Sequence, residues 1–320
     1  MPAAAPSSLP VSGLLDFTDR WPAMVVKELR QGLRARGFVA PFLVLHAMVL
    51  VAVSIEYLIT RTANSNVALQ WLAGGDPGLF WIAVYAIVAG VMPLRLMDSI
   101  LGENEGRNTE LLLLGGLSRW KIVRGKWLVQ SVLCTLSLVS LLPYMLVRYF
   151  FGGVELVPNL FSFLSVLFAS FSMAGVVLGA SGYAGLGMRF FVITGSGFFL
   201  FIAGISTEAL IAFLGRAARI TELAIFAYGY SYALLFHILY CLIGLQLGRG
   251  HLKLFLLPHQ SSPTRGMLVM MVSSPFMLVA GALATCGWGA IVVLGLFVYA
   301  VSVVDRSPKP TAGGPVEYWF

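Results

Sequence analysis

Residues 38–58 read FVAPFLVLHAMVLVAVSIEYL. The run has one carboxylate, Glu56, one histidine, His46, and no lysine or arginine. It matches the roughly 20 residues that a helix needs to cross a bilayer core. Lipid offers the backbone no hydrogen-bond partner, so a spanning segment of this kind has to be helical. Working outward, seven more apolar blocks follow, at 79–101, 126–146, 160–178, 190–213, 223–247, 267–284 and 287–304. The last two form one uncharged run, too long for a single span, which divides near 286–289. Across the 320 residues, 58% are hydrophobic and 11% charged, and the mean hydropathy is +0.87. A soluble domain carries roughly 25% charged residues. Too few charges remain to cover a water-soluble core. The expectation is an all-α integral membrane protein, a polytopic bundle of about eight spans.

The net charge is +7, which could suggest a nucleic-acid partner. Its distribution argues against one. With the N-terminus inside, eight spans put 17 of the 21 basic residues in the cytoplasm, among them Lys27, Arg30, Arg34, Arg119, Lys121, Arg124 and Lys126. Only Arg61, Arg148, Arg216 and Arg219 fall outside. This is the positive-inside asymmetry, and it predicts a multi-pass protein of the cytoplasmic membrane with both termini inside. Losing one span would invert every later loop. The first 20 residues lack an apolar signal-peptide core, so the first span is expected to act as the insertion signal. Cys134, Cys241 and Cys286 lie in apolar runs without partner spacing and read as small buried hydrophobes.

The organisation follows. Residues 1–20 form a cytoplasmic tail. Residues 21–37 place Val26, Leu29 and Leu33 on one helical face and Lys27, Arg30, Gln31 and Arg34 on another. That pattern predicts an amphipathic elbow helix in the membrane interface, its basic residues near lipid phosphates. Gly37 and Pro41 should mark the bend into the first span. Residues 38–247 are a six-span core with a cytoplasmic loop at 98–126. A cytoplasmic loop at 248–266, two further spans over 267–304 and a tail at 305–320 complete the chain. Loop 148–159 reads as external, and 208–222 as a re-entrant or external elbow. Gly175-xxx-Gly179 and Gly244-xxx-Gly248 are signals of close helix packing.

No residues announce catalysis. Gly125-Lys126 lacks the upstream glycine of a P-loop and is followed by Trp127. HExxH, CxxC and nucleophile-elbow patterns do not occur, so no catalytic or metal site is expected in this chain. His46 and His237 are lone histidines within spans, readable as core residues bonded to a neighbour or as part of a substrate path. Glu56, near the outer end of its span, can reach the interface. Arg95 and Asp98 read as interface anchors at the inner end of the second span.

The most specific stretch is DSILGENEGRNTELLLLGGLSRWKIVRGK, residues 98–126. Glu103, Glu105 and Glu110 precede four leucines, Leu111, Leu112, Leu113 and Leu114. Gly115-Gly116 then interrupts the chain, and Ser118 is placed to cap a helix rich in basic residues. Burying a leucine is worth roughly 1.5–3 kcal/mol, so four in a short charged loop have to pack, either on this protein's own spans or in a partner's groove.

Here the sequence resembles permeases of the ABC type-2 transporter family. The resemblance rests on Lys27-Glu28-Leu29-Arg30-Gln31 before the first span and on ExE…TELLLL…LSRWKIVxGK after the second. It covers about residues 20–150. Two features differ: the family's Gly-Thr-x-Glu becomes Gly106-Arg-Asn-Thr-Glu110, and Gly116 stands where a proline is common. The resemblance implies a six-helix core, here with two added spans, and pairing with a second permease copy or a paralogue. It implies an elbow over 22–37 carrying Lys27, Glu28, Arg30 and Arg34. It also implies a coupling helix over 105–114, with Glu103, Glu105 and Glu110 at the family's acidic positions, presented to a separate cytoplasmic ATPase that binds ATP and Mg. Membrane lipid would be the remaining partner. A non-ATP-coupled transporter or lipid-handling protein is the alternative, and an integral-membrane enzyme ranks behind both.

Overall fold

The structure is a computed structural model that describes residues 23–62, 78–105, 118–151, 156–217, 222–252, 264–285 and 287–303. All regular structure among these residues is helical. In chain order the α-helices are α1 (Ala23–Arg34), α2 (Arg36–Thr62), α3 (Gly78–Val84), α4 (Ser99–Glu105), α5 (Arg119–Val139), α6 (Leu142–Phe151), α7 (Leu156–Ala180), α8 (Leu186–Ala217), α9 (Glu222–His251), α10 (Thr264–Ala284) and α11 (Gly289–Val303). Between α3 and α4 the second span changes character twice. It is π-helical over Tyr85–Val91 and 3₁₀ over Met92–Leu96.

Among the described residues six helices are long and apolar enough to cross a membrane, and the 186–202 part of α8 and Gly289–Val303 are shorter apolar stretches. At 1.5 Å per residue, the 15 residues of α11 rise about 22 Å, less than the ~30 Å of a hydrocarbon core. The architecture is that of a multi-pass helical membrane protein. Its surface agrees: Phe150, Phe201, Phe276 and Leu283 are 66–80% exposed on helices, a placement suited to lipid and not to water.

Among the described residues two apolar clusters form the interior. One joins Val25 of α1 and Leu45 and Val49 of α2 with Phe80, Trp81 and Val88 of the second span and Leu133 and Leu138 of α5. The other joins the elbow-side ends of the second span and α5 with α7 through α11, through Ile100, Val123, Val177, Tyr240, Met271 and Leu294. Lipid supplies no hydrophobic drive between helices, so close backbone approach and polar contacts have to hold them together. The glycines provide that approach. A Cβ on Gly175 would lie 2.9 Å from the Cys241 carbonyl oxygen, and one on Gly179 would lie 2.5 Å from that of Gly244. The two GxxxG motifs therefore clasp each other across α7 and α9, which run parallel.

Several sequence expectations need correction. The bend after the elbow falls at Ala35, and Gly37 and Pro41 lie inside α2. Pro41 removes only one backbone donor near the helix start, so the chain runs through it. On the elbow Val25 and Gly32 are buried, with Leu29 half-buried between them; the inner face keeps Leu29 of the expected one, but Val25 and Gly32 replace Val26 and Leu33, and Leu33 is 41% exposed. The expected external loop at 148–159 is helical up to Phe151 and again from Leu156. Residues 208–217 continue α8 and are not a separate elbow. Two other expectations hold. Ser118 is the N-cap of α5, with its hydroxyl accepting from the Lys121 amide at 3.3 Å. The last apolar run does divide, around Gly287 with φ +99°.

Candidate functional site

The charged residues of the elbow end converge on Lys126. It lies about two turns beyond the Ser118 cap on α5, and its ammonium bonds Glu28 of α1 at 3.1 Å and Glu103 of α4 at 2.7 Å. Lys126 is 11% exposed at its side chain, Glu28 24% and Glu103 19%. One cation thus holds two carboxylates from elements that the sequence separates by many residues. Arg95 lies against the same elbow: a Cβ on Gly32 would sit 3.0 Å from its Nη1 and 3.2 Å from Leu133 Cδ1. A side chain at Gly32 would require Arg95 or Leu133 to give way. Arg95 is therefore packed against the elbow.

This arrangement brackets the stretch 106–117. Glu103 stands just before it, Ser118 and Lys126 just after it, and both sides are fastened to the elbow through Glu28. Glu110, Leu111, Leu112, Leu113 and Leu114 lie outside the described residues, as does the side chain of Glu105. Of the other elbow residues, Lys27, Arg30 and Arg34 are exposed along α1.

The neighbouring elbow-end groups are also fastened. Arg189, 3% exposed, ion-pairs with Asp98 and donates to the carbonyl oxygens of Tyr183 at 2.6 Å and Met97 at 3.2 Å. Asn104 donates to the His251 carbonyl at 3.0 Å. The His251 ring packs edge-on against Tyr183, whose phenol burial pushes up. Arg124 and Arg249 both lie over the Trp120 ring, at 5.7 and 6.0 Å.

The histidines sit elsewhere and in different helix pairs. His46 Nδ1 is 2.9 Å from the Phe42 carbonyl and Nε2 is 3.2 Å from Ser140 Oγ. His237 Nδ1 is 3.1 Å from Ser172 Oγ, which also donates to the His237 carbonyl at 2.9 Å. Each is bonded to a serine across one helix contact.

Sequence reasoning missed a second charged site at the opposite end of the bundle. Glu56, read as reaching the interface, is 5% exposed. Arg148 Nε donates to its Oε2 at 2.8 Å, and the Phe80 amide donates to its Oε1 at 2.8 Å. Arg148 also donates to Asn159 Oδ1 at 3.1 Å, which takes the Trp81 indole N–H at 3.0 Å, and its guanidinium covers the Phe80 ring at 4.5 Å. Gly78, φ +56°, lets the chain turn against the pair, since a Cβ there would lie 3.1 Å from Glu56 Oε1. The one signal in the sequence was a carboxylate and an arginine, each near the same end of a span.

Compared with known proteins, the chain matches no family model, no curated protein and no solved structure.

Proposed function

We propose that the chain is the membrane-spanning permease subunit of an ABC transporter, an exporter, that works with a separate cytoplasmic ATPase. ATP and Mg bind that partner. Two permease copies, or this chain and a paralogue, enclose the path. The protein lies in the cytoplasmic membrane with eight spans and both termini inside, as the distribution of basic residues predicts. The observation that carries the reading is the bracket around 106–117: Glu28, Glu103 and Lys126 tie both sides of a leucine-rich stretch to the amphipathic elbow. A stretch fastened in this way passes movement of a gripped leucine cluster into the second and third spans. No bond chemistry takes place in this chain. The non-ATP-coupled alternative needs polar groups meeting at the midplane, and His46 and His237 are each bonded within a separate helix pair.

Affinity purification of the tagged chain in mild detergent tests the reading. A stoichiometric subunit carrying a P-loop is expected in the eluate. An eluate in which no nucleotide-hydrolysing subunit accompanies the chain, with the bundle intact, contradicts it.

A further inference from the structure

We infer that the second span is hinged in its elbow-side half, with Gln130 of α5 as the positioning residue that clips the hinge, while its far end is held as a fixed pivot. The far end is tied by the Phe80 amide and Trp81 indole into the Glu56–Arg148–Asn159 network, which joins α2, α3, α6 and α7. Beyond Val84 the regular α-helical ladder stops. The Met92 amide reaches back to the Ile87 carbonyl, a π spacing, and the Met97 amide reaches Leu94, a 3₁₀ spacing. Pro93 lies at this change of pitch and has no amide donor. Stretches of π-helix and mid-span 3₁₀ helix recur at functional hinges.

Side chains of other helices bond the backbone of this segment. The carbonyl five residues before Pro93 is that of Val88, and Cys134 Sγ lies 3.9 Å from it. Gln130 Nε2 donates to the Met92 carbonyl at 2.9 Å and lies 3.5 Å from Cys134 Sγ. Arg189 takes the Met97 carbonyl, and the Ile100 amide donates to Ser181 Oγ at 3.2 Å. The elbow-side half is therefore held to α5, the α7 end and the α8 start by side-chain bonds to its backbone. A small shift of α5 changes those bonds directly. Gly90, whose added Cβ would meet no side chain within 4 Å, leaves room for the shift. The segment continues through α4 to Glu103 and the 106–117 stretch. In the permease reading the hinge receives the ATPase's movement. The geometry itself does not depend on that reading.

Hydrogen–deuterium exchange of the purified full-length chain in lipid nanodiscs, with no ATPase present, tests the hinge separately from the function. Amides of 88–98 are expected to exchange about tenfold or more faster than those of 172–180 in α7, while 80–84 stay slow. Gln130→Met keeps the volume and removes the donor. It is expected to speed exchange at 88–98 by about another tenfold and leave 172–180 unchanged. Pro93→Ala restores a donor and is expected to slow the same segment. Uniformly slow exchange along 80–98 in the unaltered chain overturns the inference. If Gln130→Met loosens the whole bundle, Pro93→Ala decides: slower exchange at 88–98 supports the hinge, and an unchanged profile overturns it.

Discussion

Glu56 and Arg148, 92 residues apart in sequence, share a buried ion pair at 2.8 Å that joins the first span to the end of the third. In an apolar bundle such a pair is costly to form and more costly to break, because removing one partner strands the other. Glu56→Gln or Arg148→Met alone should therefore destabilise the detergent-solubilised protein by about 3–5 kcal/mol. The double variant should recover a large part of that loss. A thermal unfolding series with the two single variants and the double variant checks this. Additive losses would mean the pair does not act as a unit.

The glycine clasp makes a sharper steric prediction. A side chain at Gly244 would overlap the Gly175 backbone, whereas one at Gly195 meets nothing within 4 Å. Gly244→Val should force α7 and α9 apart and lower the unfolding midpoint by the equivalent of about 1–3 kcal/mol or more. Gly195→Ala should leave it unchanged or raise it slightly, since alanine is the better helix former. Equal effects at the two positions would contradict the clasp.

At the elbow end, Lys126 is the shared partner of Glu28 and Glu103. Lys126→Met leaves two carboxylates facing each other and should release α1. Limited trypsin cleavage at Lys27 and Arg30 should then speed up several-fold, and Lys126→Arg should restore slow cleavage. Unchanged cleavage in Lys126→Met would show that the apolar contacts of Val25 and Leu29 hold the elbow alone.

Where the sequence was legible, a single residue type carried the signal. Ser118 is a hydroxyl ahead of a basic helix, and it caps. Glycines four apart on two spans meet, and the uncharged C-terminal run breaks at Gly287. What stayed hidden required knowledge of a partner far along the chain. Nothing near Glu56 names Arg148, so a carboxylate near a span end reads as solvated. Nothing near Pro93 shows that Gln130 and Cys134 reach across to its neighbourhood, so the second span reads as one uniform helix. The elbow's inner face was misread in part because Leu33 counted as apolar, while Gly32, packed beside Arg95, carries no hydrophobic signal.

The orientation has its own test. In a background with all three cysteines replaced, a membrane-impermeant maleimide should label Ser65→Cys on intact cells. It should reach Ser262→Cys and Ala312→Cys only after permeabilisation. External labelling of Ala312→Cys would remove one of the eight proposed spans and move the C-terminus to the other side.

The most direct measurement is ATP hydrolysis by whatever co-purifies with the chain, comparing the unaltered chain with Leu112→Glu. A carboxylate in the leucine cluster should abolish a grip made by burying apolar side chains. The account predicts that the ATPase is lost from the complex or falls to its rate without this chain, while the chain's own unfolding midpoint is unchanged. Full co-purification together with full stimulation by Leu112→Glu would contradict it.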